Sequence, residues 1–111
     1  MKWELEKTIT VSASHELEKV GECSNLHGHN WKITVKCSSR TLNKNYMVVD
    51  FNDIKKIVMK YDHTHINDLS PFCCGILPTA EKIAEELCLE IPLCDSVTVE
   101  ESENNKVIYY R

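Results

Sequence analysis

Three histidines stand where strand periodicity would bring their side chains to one surface. Residues 1–15 alternate between apolar and polar side chains, and His15 falls on the apolar parity. Residues 27–37 alternate in the same way, with His27 and His29 on the apolar parity. A connection of about a dozen residues lets the two segments pair as antiparallel strands. Three converging imidazoles with a fourth position open are the arrangement of a catalytic zinc site.

The alternative is that these histidines are ordinary polar residues at strand ends. That interpretation suits a lone histidine, whereas three of matched parity beside apolar residues favour metal binding. Cys23 stands four residues before His27 and leaves three roles open. It can act as base or nucleophile near a metal, close the site as a fourth ligand, or be a buried loop cysteine.

The segment from Asp62 to Pro78 is long and irregular, and such connections in compact domains are often functional. It begins with Asp62 and His63, and a carboxylate beside an imidazole can set its tautomer and raise its basicity. Adjacent residues need not touch each other, so this pair alone is a weak signal. His65 follows two residues later, and we expect it to be a surface residue.

Glu101 shares the inward parity of Val97 and Val99, whereas Glu100 points outward. An inward carboxylate is costly unless it is paired or binds something. Its two oxygens suit the paired N–H groups of a guanidine-like heterocycle. Alternatively, the strand ends at Val99 and Glu101 is solvated. Glu81 has an equally simple explanation, because acidic residues favour helix N-termini.

The elements that must position these residues predict an α+β fold with an antiparallel sheet. After the first two strands, the prediction has a short strand, two helices and two more strands. The short strand is predicted at Tyr46–Val49. The first helix is capped by Asp50 or Asn52 and has an apolar face at Ile54, Ile57, Val58 and Tyr61, and the second is capped by Thr79 and ended by Pro92. The last two strands are predicted at Ser96–Glu101 and Val107–Tyr110, with a turn at Asn104–Asn105 between them.

The composition predicts one domain over residues 1–111. With 17 acidic and 13 basic side chains, the net charge of -4 argues against a nucleic-acid binder but not against an anionic small substrate. The first residues lack the pattern of a signal peptide, and no apolar run is long enough to span a membrane. We therefore expect a cytoplasmic protein with reduced thiols, including the adjacent pair Cys73–Cys74. A core this modest also makes oligomerisation plausible.

Taken together, these residues resemble the 6-pyruvoyl-tetrahydropterin synthase family. The matching features are His15 after a strand, Cys23-x-x-x-His27-Gly28-His29, Asp62-His63 with Asn67, Pro78-Thr79-x-Glu81, and Glu101. The three-residue gap between Cys23 and His27 is similar to the 6-carboxy-5,6,7,8-tetrahydropterin synthase branch of queuosine biosynthesis.

The resemblance implies the tunnelling fold, a ββααββ arrangement with two helices on one face of the sheet. It further implies trimers whose sheets form a barrel, commonly stacked as a homohexamer, with active sites between subunits. Zinc would be held by His15, His27 and His29. The substrate would be 7,8-dihydroneopterin triphosphate, with no nucleic-acid or membrane partner.

The same resemblance assigns roles around the metal. Glu101 would anchor the pterin ring, helped by Thr79 and Glu81; Cys23 would be the base, and Asp62 with His63 the proton relay. The implied lyase reaction releases acetaldehyde and triphosphate and leaves 6-carboxy-5,6,7,8-tetrahydropterin. Two alternatives stay open: a 6-pyruvoyl-tetrahydropterin synthase, which eliminates triphosphate without carbon–carbon cleavage, and a non-catalytic zinc-binding module.

Overall fold

The computed structural model describes residues 1–17 and 26–111, so Cys23 lies outside the described residues. Within them the chain forms five strands and two α-helices, with single 3₁₀ turns at Ile66–Asp68 and Phe72–Cys74. The elements are β1 (Trp3–His15), β2 (His27–Ser39), α1 (Phe51–Met59), β3 (Thr64–His65), α2 (Ala80–Glu90), β4 (Cys94–Ser102) and β5 (Asn105–Tyr110).

One five-stranded sheet organises the described chain, in the order β3-β1-β2-β4-β5. β1 and β2 pair antiparallel along their whole length, from Trp3 opposite Ser39 to His15 opposite His27. β4 and β5 extend the antiparallel sheet, and the two-residue β3 runs parallel to β1. The alternation of apolar and polar residues thus produces the predicted antiparallel sheet, because it gives each long strand one face to bury.

The two helices begin directly after two of the residues that were predicted to cap them, Asp50 and Thr79. The Asp50 carboxylate accepts a hydrogen bond from the Asn52 N–H, and the Thr79 hydroxyl accepts one from the Lys82 N–H. α2 ends at Glu90, before Pro92. Their apolar faces pack with the inward sheet face in one core. It includes Val11, Trp31, Ile33, Val35, Ile54, Val58, Ile83, Leu87, Val97 and Val99.

The predicted strand at Tyr46–Val49 is wrong. Asn43 organises this segment into a loop, since its side chain accepts hydrogen bonds from the N–H groups of Asn45 and Met47. Tyr46 has a φ of 63°, a left-handed conformation that is incompatible with a strand. The sheet also has no place for this strand beside β2, because β1 and β4 occupy both edges of β2.

Two smaller differences concern the β4–β5 hairpin and the long connection. The hairpin turns at Glu103–Asn104, one residue earlier than predicted, because Asn105 already pairs with Ser102 in the sheet. The connection after α1 contains β3 and the two 3₁₀ turns rather than irregular chain alone. Among the described residues, no helix has the length and apolar character needed to cross a membrane.

Candidate metal centre and active site

The register of β1 and β2 brings the three predicted histidines together. His15 lies opposite His27, and His29 lies opposite Ala13 on the next inward position of β2. Their ring centroids are 4.4 to 5.2 Å apart, and the Nε2 atoms of His15 and His27 are separated by 2.8 Å. Three imidazoles therefore converge at the end of the strand pair where the chain leaves β1 and enters β2.

His15 is held in one orientation by the chain that precedes α2. Its Nδ1 lies 2.9 Å from the carbonyl oxygen of Pro78, and its side chain is completely buried. A carbonyl only accepts, so Nδ1 carries the proton and Nε2 presents a lone pair to the other histidines. Burial is the main cause that lowers the pKa of His15 below 6.5, which favours the neutral ring that a metal requires.

Glu101 joins the histidines from the next strand. The pairing of β4 with β5 shifts between Glu100 and Ser102, so Glu101 is the extra residue of a β-bulge, a feature that re-aims a side chain. Its Oε1 lies 2.9 Å from Nε2 of His29 and 3.9 Å from Nε2 of His15. Glu101 thus points inward, as its parity predicted, while Glu100 faces Lys32 on the other side.

These four side chains form what we call the His–Glu cluster: His15, His27, His29 and Glu101. One possible ligand atom from each lies within 4.8 Å of the other three. Buried Nε2 of His29 makes no hydrogen bond, because its close contact with Glu101 does not have hydrogen-bond geometry. Burial also lowers the pKa of His29, partly offset by the carboxylate of Glu101.

The His–Glu cluster fits a bound metal ion on two grounds. A buried nitrogen that makes no hydrogen bond, such as Nε2 of His29, is costly unless something binds it. Imidazole nitrogens and a carboxylate oxygen are also the donors that zinc takes in proteins. We conclude that the cluster can hold a divalent metal ion of this class.

Trp31 and the Pro78 carbonyl support the cluster, and neither role was predicted. The Trp31 indole N–H donates to the Ala13 carbonyl at 3.1 Å, and its ring centroid lies 4.9 Å from that of His15 and 5.0 Å from that of His29. Trp31 shares the parity of His27 and His29, so its place on this face was visible in the sequence. No sequence pattern indicated that the backbone carbonyl of Pro78 would contact His15.

A cavity of about 290 Å³ adjoins the cluster at the β4–β5 hairpin. Glu81, at the start of α2, and Glu101 both line it, together with Ala80 and the hairpin residues Asn104 to Val107. The structure therefore brings these two predicted substrate-binding residues to one cavity. Thr79 is beside it in sequence, but its hydroxyl accepts the capping hydrogen bond from Lys82 and retains only its own proton to donate.

Asp62 and His63 lie at a different place, on the edge of β1. Asp62 Oδ1 accepts a hydrogen bond from the Ser12 N–H at 2.9 Å, and the His63 N–H donates to the Ser12 carbonyl at 2.6 Å. The His63 ring is 83% exposed, with Nε2 3.4 Å from Asp62 Oδ2. The predicted Asp–His contact is present, but Ser12 stands three residues, or about 10 Å of strand, before His15.

His65 is not the surface residue that we expected. It is half-buried in β3, and its Nδ1 lies 2.9 Å from the Ser14 hydroxyl of β1. Asn67 closes the same junction, since its side-chain amide accepts from the N–H of Glu16 and donates to the carbonyl of Glu16. These contacts attach the long connection to the end of β1 that carries His15.

Known proteins are similar to this chain in both sequence and fold. The family profile of 6-pyruvoyl tetrahydropterin synthase matches residues 4–111. The 6-carboxy-5,6,7,8-tetrahydropterin synthase of Bacillus subtilis is 30% identical, covering 96% of this chain and 84% of the relative. The 6-pyruvoyl tetrahydrobiopterin synthase of Homo sapiens is 27% identical, covering 96% and 90%.

Comparison with a solved structure supports the same family assignment. The 6-pyruvoyl tetrahydropterin synthase of Caenorhabditis elegans superposes with a TM-score of 0.80 at 25% identity, covering 100% of this chain and 96% of that chain. The sheet with its two helices is thus the fold of this family's proteins, as the resemblance implied. Together, the match over nearly all of the sequence and the shared fold show that this chain belongs to the 6-pyruvoyl tetrahydropterin synthase family of enzymes.

Proposed function

We propose that this protein is a zinc-dependent lyase of the 6-carboxy-5,6,7,8-tetrahydropterin synthase branch, acting in queuosine biosynthesis on 7,8-dihydroneopterin triphosphate. The observation that carries the proposal is the His–Glu cluster, in which the buried Nε2 of His29 makes no hydrogen bond. The similarity to the Bacillus relative and the three-residue gap between Cys23 and His27 favour this branch over the pyruvoyl one.

In this proposal the three histidines hold the zinc. The Pro78 carbonyl keeps the proton of His15 on Nδ1, and the packing of Trp31 restricts the rings of His15 and His29. Zinc at this place would supply Lewis-acid chemistry, which lowers the pKa of a substrate hydroxyl and polarises a developing carbonyl. The carboxylate of Glu101 would stand beside this metal, since its Oε1 lies 2.9 Å from Nε2 of His29.

Glu101 is assigned to the pterin ring. Its carboxylate stands between the histidines and the cavity that Glu81 also lines, and it is 29% exposed. A carboxylate accepts two parallel N–H bonds, which matches the amino-pyrimidine edge of a pterin. On substrate binding, Glu101 turns from His29 into the cavity. The free hydroxyl proton of Thr79 and the carboxylate of Glu81 contribute at the helix end.

Proton transfer is assigned to Cys23, Asp62 and His63. Asp62 uses one oxygen to accept from the Ser12 N–H and leaves the other 3.4 Å from Nε2 of His63. Because His63 is exposed at the edge of β1, away from the cluster of its own chain, we assign it to the active site of a neighbouring subunit. This requires a homo-oligomer, a trimer or a homohexamer built from two trimers, which we place in the cytoplasm.

The bond changes follow from these roles. Removal of protons from the substrate's side-chain carbons lets triphosphate leave by elimination. Water then adds to the carbonyl carbon attached to the pterin ring, and cleavage of the bond from that carbon to the next side-chain carbon releases acetaldehyde and leaves the 6-carboxy product. A 6-pyruvoyl-tetrahydropterin synthase would stop before this cleavage.

The deciding experiment incubates the purified protein with 7,8-dihydroneopterin triphosphate and analyses all products. We expect triphosphate, acetaldehyde and 6-carboxy-5,6,7,8-tetrahydropterin. Triphosphate without acetaldehyde would assign the pyruvoyl branch instead. If neither product forms with zinc-loaded protein, both enzymatic assignments are wrong.

A second experiment separates the enzyme from a non-catalytic zinc-binding module. The variant Cys23→Ala should keep its zinc and its fold and lose turnover, because the proposed cysteine is a base and not a ligand. A structural module with Cys23 as fourth ligand would lose metal and stability together.

A further inference from the structure

Two adjacent thiols, which the proposed function does not use, stand exposed on one turn. Cys73 and Cys74 belong to the 3₁₀ turn Phe72–Cys74, and their sulfur atoms are 3.9 Å apart. Backbone hydrogen bonds hold the turn: the Cys73 N–H donates to Leu69 at 2.8 Å and the Cys74 N–H donates to Pro71 at 3.0 Å. The pair is therefore presented to solvent by a fixed backbone.

The distance between the two sulfur atoms matches the distance between two sulfur ligands of one metal ion. With metal–sulfur bonds of ~2.3 Å and tetrahedral angles, two thiolates on the same ion lie ~3.8 Å apart. The observed separation needs almost no movement to reach this value. A disulfide would require the two sulfurs to come into bonding contact, which would distort a turn whose N–H groups are already hydrogen-bonded.

Charge at the turn also favours a cation. The hydrogen bond with Cys74 is the main cause that raises the pKa of Cys73, and the negative charge of Asp68 raises it further. The negative charge of Asp68 near the turn also attracts a positive ion. Binding would release one proton from each thiol and replace two S–H bonds with two sulfur–metal bonds.

The other described cysteines cannot supply such a site. Cys37, Cys88 and Cys94 are buried in the core. Burial is the main cause that raises the pKa of Cys88 to about 12, and a hydrogen bond with Cys37 is the main cause that raises the pKa of Cys94. The His–Glu cluster offers nitrogen and oxygen donors, which differ in softness from a pair of thiolates.

We propose that Cys73 and Cys74 form a surface dithiol site that chelates one soft, thiophilic metal ion, separate from the His–Glu cluster. The remaining positions on the ion are taken by water or by a thiol or other ligand from solution. This inference does not rest on the proposed function, because it uses different residues and a different donor chemistry.

The test uses the 111-residue chain loaded with zinc at the His–Glu cluster. The substitution Cys23→Ser removes the one thiol that is neither in the proposed dithiol site nor among the buried cysteines Cys37, Cys88 and Cys94. Cadmium ion is the probe; thiolate-to-cadmium ultraviolet absorption and the metal content after desalting are the readouts. We expect one cadmium ion per chain in addition to the zinc already bound. In Cys73→Ser/Cys74→Ser this added cadmium should be lost and the zinc kept.

Each single variant, Cys73→Ser or Cys74→Ser, serves as a matched control and should bind cadmium at least about tenfold more weakly, because a chelate needs both sulfurs. Both side chains are exposed, so folding should be unaffected, as circular dichroism would verify. The proposal is overturned if cadmium enters only by displacing zinc. It is also overturned if the double variant binds as much cadmium as its parent.

Discussion

The Oε1 atom of Glu101 on β4 lies 2.9 Å from Nε2 of His29 on β2, within the His–Glu cluster. Glu101 shares the inward parity of Val97 and Val99, and the pairing of β4 with β5 shifts at this residue as a β-bulge. One carboxylate therefore stands where it can either ligate the metal or bind the substrate ring. The two roles predict different zinc contents for the variant Glu101→Gln.

Glu101→Gln should keep zinc and lose catalytic efficiency. Glutamine keeps the shape of the side chain but cannot accept two charge-assisted N–H bonds, so kcat/KM should fall about 10- to 100-fold. Steady-state kinetics and the zinc content per chain give the measurement. The control is Glu100→Gln, whose carboxylate faces Lys32 on the opposite side of the sheet. Loss of zinc in Glu101→Gln would show instead that the carboxylate is a ligand.

Asp62 allows its structural and chemical roles to be separated with two variants. Asp62→Asn keeps an oxygen that accepts from the Ser12 N–H, so its free energy of unfolding should stay near that of the parent. It removes the charge beside His63, so turnover should fall about 100-fold. Asp62→Ala should in addition lose about 1–3 kcal/mol of stability, because the partly buried Ser12 N–H loses its acceptor. Urea unfolding and turnover are measured on both; equal activity of Asp62→Asn and the parent would contradict the relay.

Trp31→Phe should weaken both the fold and the metal site. The substitution removes the hydrogen bond to the Ala13 carbonyl and part of the ring packing against His15 and His29. We expect a loss of about 1–3 kcal/mol in the free energy of unfolding and about 10-fold weaker zinc binding. Trp3→Phe is the matched control, since Trp3 is 43% exposed at the far end of β1. Unchanged zinc affinity in Trp31→Phe would exclude a supporting role for the indole.

Metal-free protein should lose stability as the pH falls. Burial lowers the pKa of His15 and His29 in the folded chain below the value of 6.5 for unfolded histidine. Below that value the unfolded chain takes up protons that the folded chain resists, so the free energy of unfolding declines with falling pH until the folded-state pKa values are passed. Urea unfolding after chelation, at about pH 7.5 and about pH 5.5, checks this. His29→Gln should show a smaller decline, and an equal decline in both proteins would contradict the argument.

Much of the site could be predicted from the sequence because strand parity is a local property. His15, His27 and His29 share the parity of the core residues around them, and antiparallel pairing across a short connection then brings them together. Glu101 followed from the same argument on β4. The error at Tyr46–Val49 has the opposite origin: a run of strand-forming residues does not reveal that β1 and β4 already occupy both edges of β2.

Only the tertiary structure decided the contacts that distant backbone groups make with the side chains of the site, because the residue type does not reveal such contacts. The carbonyl of Pro78 orients His15 across 63 residues of chain, and the N–H of Ser12 binds Asp62 across 50. Every residue has a backbone carbonyl and all but proline have an N–H group, so the sequence cannot distinguish the ones that orient an imidazole or a carboxylate. The sequence alone therefore predicted that His15, His27 and His29 converge and that Glu101 points inward. The packed chain determined that Glu101 contacts the histidines, how these side chains are held, and that Asp62 and His63 stand apart from them.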